Sequence, residues 1–248
     1  ISTLLEISEF KIQTKEFNGV EKQLEKALSL STTLNDNQLL HETNFVYGGL
    51  YYEKRNFNLA LKYYQLALKY CKDFYDCDVT KTNLAYCLTR EGKVSEALSI
   101  YFQQLEFYNK DPSFLKNNSN KEIQISKGLV YNHIAFLLRE NNLYHDAIKY
   151  YLKALKSYKL IRIPTYIAEG YHGLSYSYIL SEEYFLGRKY LDSAYGIWKN
   201  YLPYKKAEGL HTYGWIKQKI KDIDSAKWYF NTAFKLANES NDVYLKGN

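Results

Sequence analysis

One phrase is written three times along the chain, and its spacing restricts the available folds more than any other feature. A small residue is followed by an aromatic four positions later and an alanine seven positions later: Ala60, Tyr64, Ala67; Ala147, Tyr151, Ala154; Ala226, Phe230, Ala233. Offsets of four and seven put these side chains on one face of an α-helix. Weaker copies lie between them, at Val20, Leu24, Ala27, at Ala97, Tyr101, Gln104, and at Gly187, Leu191, Ala194. The first positions, 20, 60, 97, 147, 187 and 226, are 40, 37, 50, 40 and 39 residues apart. A beat of this length marks an array of one repeated supersecondary unit.

Twelve residues before each first position stands a second small residue: Ser8, Gly48, Ala85, Ala135, Ser175 and Gly214. A bulky one precedes it each time, Ile7, Tyr47, Leu84, Ile134, Leu174 and Tyr213. The pattern predicts a first helix with a small residue at a close crossing, a turn, and a second helix packed back onto it. Turn sequences fall where they should, "KRNF" at 54–57, "REGKV" at 90–94, "ENNLY" at 140–144, "SEEYF" at 181–185 and "IKDID" at 220–224. The doubled tyrosine of "LALKYYQLALKYCK" (59–72) is therefore structural. Ala60, Tyr64 and Ala67 are expected to face the partner helix, with Lys62, Lys69 and Tyr63 toward the back or the next repeat.

With 12 glycines and 3 prolines in 248 residues, the chain lacks the punctuation of a strand-and-hairpin protein. An all-α fold of about six helix-turn-helix repeats is expected, over 1–40, 41–77, 78–127, 128–167, 168–206 and 207–248, as one array. The 50-residue interval holds "YNKDPSFLKNNSNKE", which reads as a long loop at 108–122, and Pro164 and Pro203 mark boundaries between repeats.

The net charge is +6, yet only Arg55, Arg90, Arg139, Arg162 and Arg188 among the 33 basic residues are arginines, and the lysines are dispersed. That is a solvated surface, and direct nucleic-acid binding is not expected. No run of eighteen apolar residues is present, so no membrane span is expected. The chain opens on "ISTLLEIS" and contains no methionine, so it is expected to be a piece of a longer product. A cytoplasmic location is expected, with the periplasm left open, and an oligomer is compatible with the sequence. Cys71, Cys77 and Cys87 have no histidine near them and do not make a zinc site. Free thiols are expected, a Cys71–Cys77 disulfide being the alternative if the chain is exported.

The segments "NFVYGGLYYEKRNFNLALKYYQLA" (44–67) and "YNHIAFLLRENNLYHDAIKYYLKA" (131–154) resemble tetratricopeptide repeats across both helices. The resemblance implies a right-handed α-α superhelix whose first helices line a concave groove. The period, near 40 rather than the usual 34 or so, is similar to that of bacterial regulators, including receptors of signalling peptides and sensor regions of longer chains. Counting the small residue as position eight, the family's groove positions are two, five, nine, twelve and thirteen.

Position nine then gives Tyr86, Phe136, Tyr176 and Trp215, aromatic in four successive repeats. Position five gives Asn132, His172 and His211, and positions twelve and thirteen give Arg139, Arg90 and Lys219. Flat rings beside amides, imidazoles and guanidinium groups suit an extended peptide; the same rings could instead fill a narrow superhelix. Each arginine could also pair with a neighbouring glutamate, Glu140 or Glu91. His172 and His211 hold equivalent positions in adjacent repeats, but no carboxylate or cysteine at matched spacing completes a metal site, and no cofactor is expected. The chaperone-tail clamp of some family members is not reproduced. No Gly-rich phosphate loop, Gly-x-Ser-x-Gly or His-Glu-x-x-His occurs. A non-enzymatic protein or peptide receptor in a regulator is expected, with a passive scaffold as the alternative and any phosphatase-type activity carried elsewhere.

Overall fold

A computed structural model describes the backbone of residues 1–72, 74–110 and 121–246. Its helices come in pairs. They are α1 (Ser2–Gln13) with α2 (Val20–Leu34), α3 (Asn37–Glu53) with α4 (Phe57–Tyr70), and α5 (Phe74–Arg90) with α6 (Val94–Lys110). Three further pairs follow: α7 (Lys121–Glu140) with α8 (Tyr144–Ile161), α9 (Pro164–Leu180) with α10 (Tyr184–Tyr201), and α11 (Lys206–Lys219) with α12 (Ile223–Lys246). Among the described residues there is no strand, and no helix is long and apolar enough to cross a membrane. Residues 108–110 of the expected long loop close α6 and 121–122 open α7; the rest, 111–120, lies outside the described residues. The chain divides into two compact units, Ile1–Glu106 and Phe107–Asn248.

The repeated phrase does what its spacing predicts. On α4 the buried residues are Ala60, Leu61, Tyr64 and Ala67, and on α8 the stripe runs Ala147, Ile148, Tyr151, Ala154, Leu155, Tyr158. The small residue opposite makes room for the ring: a β-carbon on Gly48 would stand 2.5 Å from the Tyr64 ring, and one on Gly214 would stand 2.8 Å from Phe230. Where the third position is Gln104 instead of alanine, its side-chain amide donates to the Asp78 carbonyl and carboxylate and to Thr82 Oγ1, at 2.8 to 3.0 Å. That satisfies the donor end of an amide the pattern would have left out of a core, while its buried Oε1 has no hydrogen-bond partner among the described residues.

Tyr63 corrects one expectation. It does not turn to the back but stacks on its own first helix, its ring 4.5 Å from Tyr47 and 5.4 Å from Tyr51. The equivalent residues of later pairs also pack on their own first helices, Tyr190 stacked on Tyr178, Tyr229 stacked on Tyr213 and Tyr150 tilted against Tyr131. The first tyrosine of the doublet thus seals the edge of a pair whose centre the second one fills. A half-buried phenol can do this because its ring packs while its hydroxyl stays near water.

Each pair turns through one left-handed residue, seven positions after the small one: Lys15, Arg55, Gly92, Asn142, Glu182 and Lys221, with φ from 57° to 75°. The structure also corrects the cysteines. Cys71 and Cys77 are joined in a disulfide, their Cα atoms 5.6 Å apart, and only Cys87 is free. Cys71 caps α4 in an extended conformation, and its partner Cys77 lies in the first turn of α5. Cys87 is buried, and burial, with Glu91 nearby, pushes its thiol pKa up to about 12.

Gly92→Ala has nothing within 4 Å to strike, so its cost is the left-handed backbone alone. A loss of about 1 kcal/mol is expected in urea denaturation. Gly48→Ala should cost about 1 to 3 kcal/mol by overpacking, and most of that loss should disappear in a Tyr64→Leu background, where the ring is gone.

Candidate functional site

In the second unit, a cavity of 320 Å³ opens on the first helices α7, α9 and α11. Five of the sequence-predicted groove residues line it: Asn132, Phe136 and Arg139 from α7, His172 and Tyr176 from α9. They converge because positions five, nine and twelve share the helix face that the second helices leave uncovered.

Arg139 sits at the centre of the apolar part. Its guanidinium lies 5.1 Å from the Phe136 ring centre and 5.3 Å from that of Tyr176, and it pairs with Glu140 at 3.1 Å. Stacking on two rings fixes the plane of the fork and leaves its outer edge for a ligand. Trp215 extends the platform, 5.1 Å from Tyr176. Asn132 makes no hydrogen bond with the described residues, so its carboxamide keeps both donors and its acceptor.

The polar end was not among the sequence-predicted residues. Glu169 and Glu208 both line the cavity, and both are position two of the same register. Reading that position alongside five and nine would have found them. Lys205, from the 3-10 turn Pro203–Lys205, bridges the two carboxylates at 3.6 Å to Glu169 and 2.8 Å to Glu208. Burial alone would lower its ammonium pKa; the hydrogen bond to Glu208 and the charges of both glutamates outweigh it and raise the pKa.

His172 joins the two ends. Its Nδ1 stands 3.4 Å from Glu208 Oε1, and its ring edges onto Trp198 and Tyr176 at 4.8 and 5.0 Å. Burial holds its pKa down to about 4, with Lys205 and Arg139 adding to the effect and Glu208 opposing it. The ring is therefore neutral near pH 7, and the carboxylate beside Nδ1 sets the proton there. Nε2 is left as a buried acceptor with no hydrogen-bond partner among the described residues.

The remaining candidates sit elsewhere. His211 is exposed and packs on Phe230 at 5.2 Å, in a neighbouring cavity that shares only Glu208 with the first. The two histidines are thus not brought to one ligand-sized point. Lys219 is exposed at the end of α11. Tyr86 and Arg90 belong to the first unit, where Tyr86 packs on Tyr52 and the Arg90 guanidinium lies over Phe57. Among the described residues no group of three His, Cys, Asp or Glu is arranged to hold a metal.

Two family models match the chain, both described as tetratricopeptide repeat, over residues 82–113 and 129–159. Those two segments are tetratricopeptide repeats. Solved structures extend the likeness over nearly all of the chain. BtubC from P. vanneervenii superposes with a TM-score of 0.71 at 17% identity, over 96% of this chain and 92% of that one. A Rap protein complexed with Competence and Sporulation Factor gives 0.73 at 18%, over 98% of this repeat chain and 68% of the other. A signal transduction ATPase from Pyrococcus horikoshii, with a tetratricopeptide repeat sensor, gives 0.74 at 16%, over 98% and 37%. At these identities the likeness shows the fold, an all-α tetratricopeptide solenoid. A search of curated proteins finds no match.

The histidines give the repeats a pH dependence. His172 and His133 both have folded pKa values near 4, below the ordinary 6.5, so the unfolded chain takes their protons first. Their contribution to stability is complete above pH 6.5 and is lost as pH falls toward 4. Measured by urea denaturation at pH 7.5 and 4.5, His172→Gln should lose less stability on acidification than the unaltered chain, by roughly 2 kcal/mol.

Proposed function

We propose that this tetratricopeptide repeat chain is a peptide-binding regulatory module, and that an extended peptide lies across α7, α9 and α11 of the second unit. The observation that carries this is the cavity's unspent hydrogen-bonding capacity: the free carboxamide of Asn132 and the buried, partnerless Nε2 of His172. A peptide backbone offers both an N–H for the imidazole and a C=O and N–H for the amide, which a purely packed interior would not need. Phe136, Tyr176 and Trp215 supply platforms for its apolar side chains, and the stacked Arg139 fork receives a carbonyl or carboxylate. Two of the similar structures support the class of function. One is a Rap protein complexed with a factor, the other an ATPase whose repeats are named a sensor.

The residues also separate binding from packing. Asn132, which donates to nothing, contributes to affinity and little to stability. A displayed library of random hexapeptides selected on the chain should yield a consensus sequence. Asn132→Ala should weaken that consensus by about 1 to 2 kcal/mol, or about tenfold, with the helical circular dichroism unchanged. Selection without a consensus, or a consensus indifferent to Asn132→Ala and Tyr176→Ala, would sink the proposal. Solution scattering with and without the selected peptide then distinguishes a receptor, whose radius changes, from a scaffold, whose radius does not.

A further inference from the structure

Eight residues after the first position of the repeated phrase, every second helix carries an apolar side chain: Leu28, Leu68, Leu105, Leu155 and Tyr195 in the first five pairs, and Phe234 in the last. The first five are buried or half-buried, whereas Phe234 is 70% exposed. The first helices show the converse. Position ten is buried at Leu50, Cys87, Leu137, Ser177 and Ile216, yet Phe10 on α1 is 63% exposed, and Ile7 at position seven is 42% exposed.

Packing between consecutive pairs explains both exceptions. Within the first unit, Tyr47 and Leu50 of α3 share a core cluster with Val20, Leu24 and Ala27 of α2. Within the second, Leu174 of α9 clusters with Ile148, Tyr151 and Leu155 of α8, and Ile216 of α11 with Leu191, Ala194 and Trp198 of α10. Positions seven and ten of a first helix are thus the surface that meets the second helix before it. The approach is close: a β-carbon on Gly173 of α9 would stand 2.3 Å from the Tyr151 ring, and one on Gly170 would stand 3.3 Å from Leu155. Among the described residues no helix precedes α1 or follows α12. On α12 the register equivalents of Tyr151, Leu155 and Tyr158 are Phe230, Phe234 and Ala237, and where the others meet a helix these line a cavity of 740 Å³.

We propose that these two faces are the halves of one interface, and that α1 of a second copy of this chain docks on α12, continuing the array from copy to copy. Ile7 and Phe10 take the places that Leu174 and Ser177 hold against α8, and Phe234 takes the place of Leu155 beneath them. One chain carries both complementary halves, and the contact continues the one already made between α2 and α3, α8 and α9, and α10 and α11. The charges agree with it. Glu6 lies one turn before Phe10 on α1 and Lys227 two turns before Phe234 on α12, and neither has an ion-pair partner among the described residues. The terminal repeats of a solenoid keep it soluble with a polar outer face, and these two do not. Because the two surfaces differ, the contact is head-to-tail. It does not rest on the peptide reading of the other cavity.

The test is sedimentation velocity on the whole chain, from about 10 μM to about 1 mM. The mean mass should rise with concentration, with a dissociation constant on the order of 100 μM, because one helix laid on one helix pair buries less than a standard interface. Phe10→Glu and Phe234→Glu change exposed side chains, so both should keep the helical circular dichroism, with serine at the same sites as the milder pair. Each should weaken self-association at least about tenfold by setting an unpaired charge in the contact. Mixed in equal amounts, the two variants should form a dimer and nothing larger, since Phe10→Glu keeps an intact α12 and Phe234→Glu an intact α1. A monomer at every concentration would overturn the proposal and leave the two faces to another protein or to further repeats. So would a folded variant that still associates like the unaltered chain, or a mixture in which the variants do not pair.

Discussion

An aromatic ring seated where a β-carbon would otherwise be holds the helices together. Within pairs, Tyr64 takes that place at Gly48, Tyr158 at Gly128 and Phe230 at Gly214. Between pairs, Tyr151 takes it at Gly173 and Tyr195 at Gly209. A glycine inside a helix costs about 1 kcal/mol against alanine, and burying a large aromatic side chain returns roughly 2 to 3 kcal/mol. The exchange is favourable only while ring and gap stay opposed, so it fixes the rotation of each helix about its axis as well as its distance. Everything that depends on which way a first helix faces follows from that.

The uncovered face is the clearest consequence. Because the second helix and the next first helix consume the stripe around position eight, positions two, five and nine are left to line cavities in both units. The same backbone therefore offers sites of different chemistry. In the second unit the carboxylates at position two are answered by Lys205, and the cavity is balanced, aromatic and suited to a backbone. In the first unit Glu6, Glu9 and Glu42 have no lysine or arginine paired with them among the described residues, and His41 lines the same cavity. An array in which each repeat touches only its neighbours can vary one cavity without disturbing another.

Much of this was legible in the residues. Offsets of four and seven, a small residue twelve positions earlier and a turn after it follow from helix geometry, and Ala60, Tyr64, Ala67 and their counterparts are buried as that geometry requires. The same register put Asn132, Phe136, Arg139, His172 and Tyr176 on one helix face, and the structure places all five around one cavity. Glu169 and Glu208 could have been found at position two, but a glutamate there looks like any solvated charge until its neighbours are known. Tyr63 was misplaced because the helix period fixes an angle on one helix, whereas the stack on Tyr47 and Tyr51 depends on the partner. The Cys71–Cys77 bridge was only the alternative to free thiols, because a spacing of six does not say how close two Cα atoms come across a helix end.

By itself, then, the sequence determined the repeating unit: which residues make each helix, which stripe is buried and which face is left open. These are properties of one helix and its period, carried by residues three, four or seven apart. Only the tertiary structure decided which open faces meet and how their charges balance. Lys205 lies 36 residues from Glu169, and His41 lies 26 from the Ala67 carbonyl that orients it. Contacts of that span depend on the distance and rotation between packed helices, and a glycine and a ring set both.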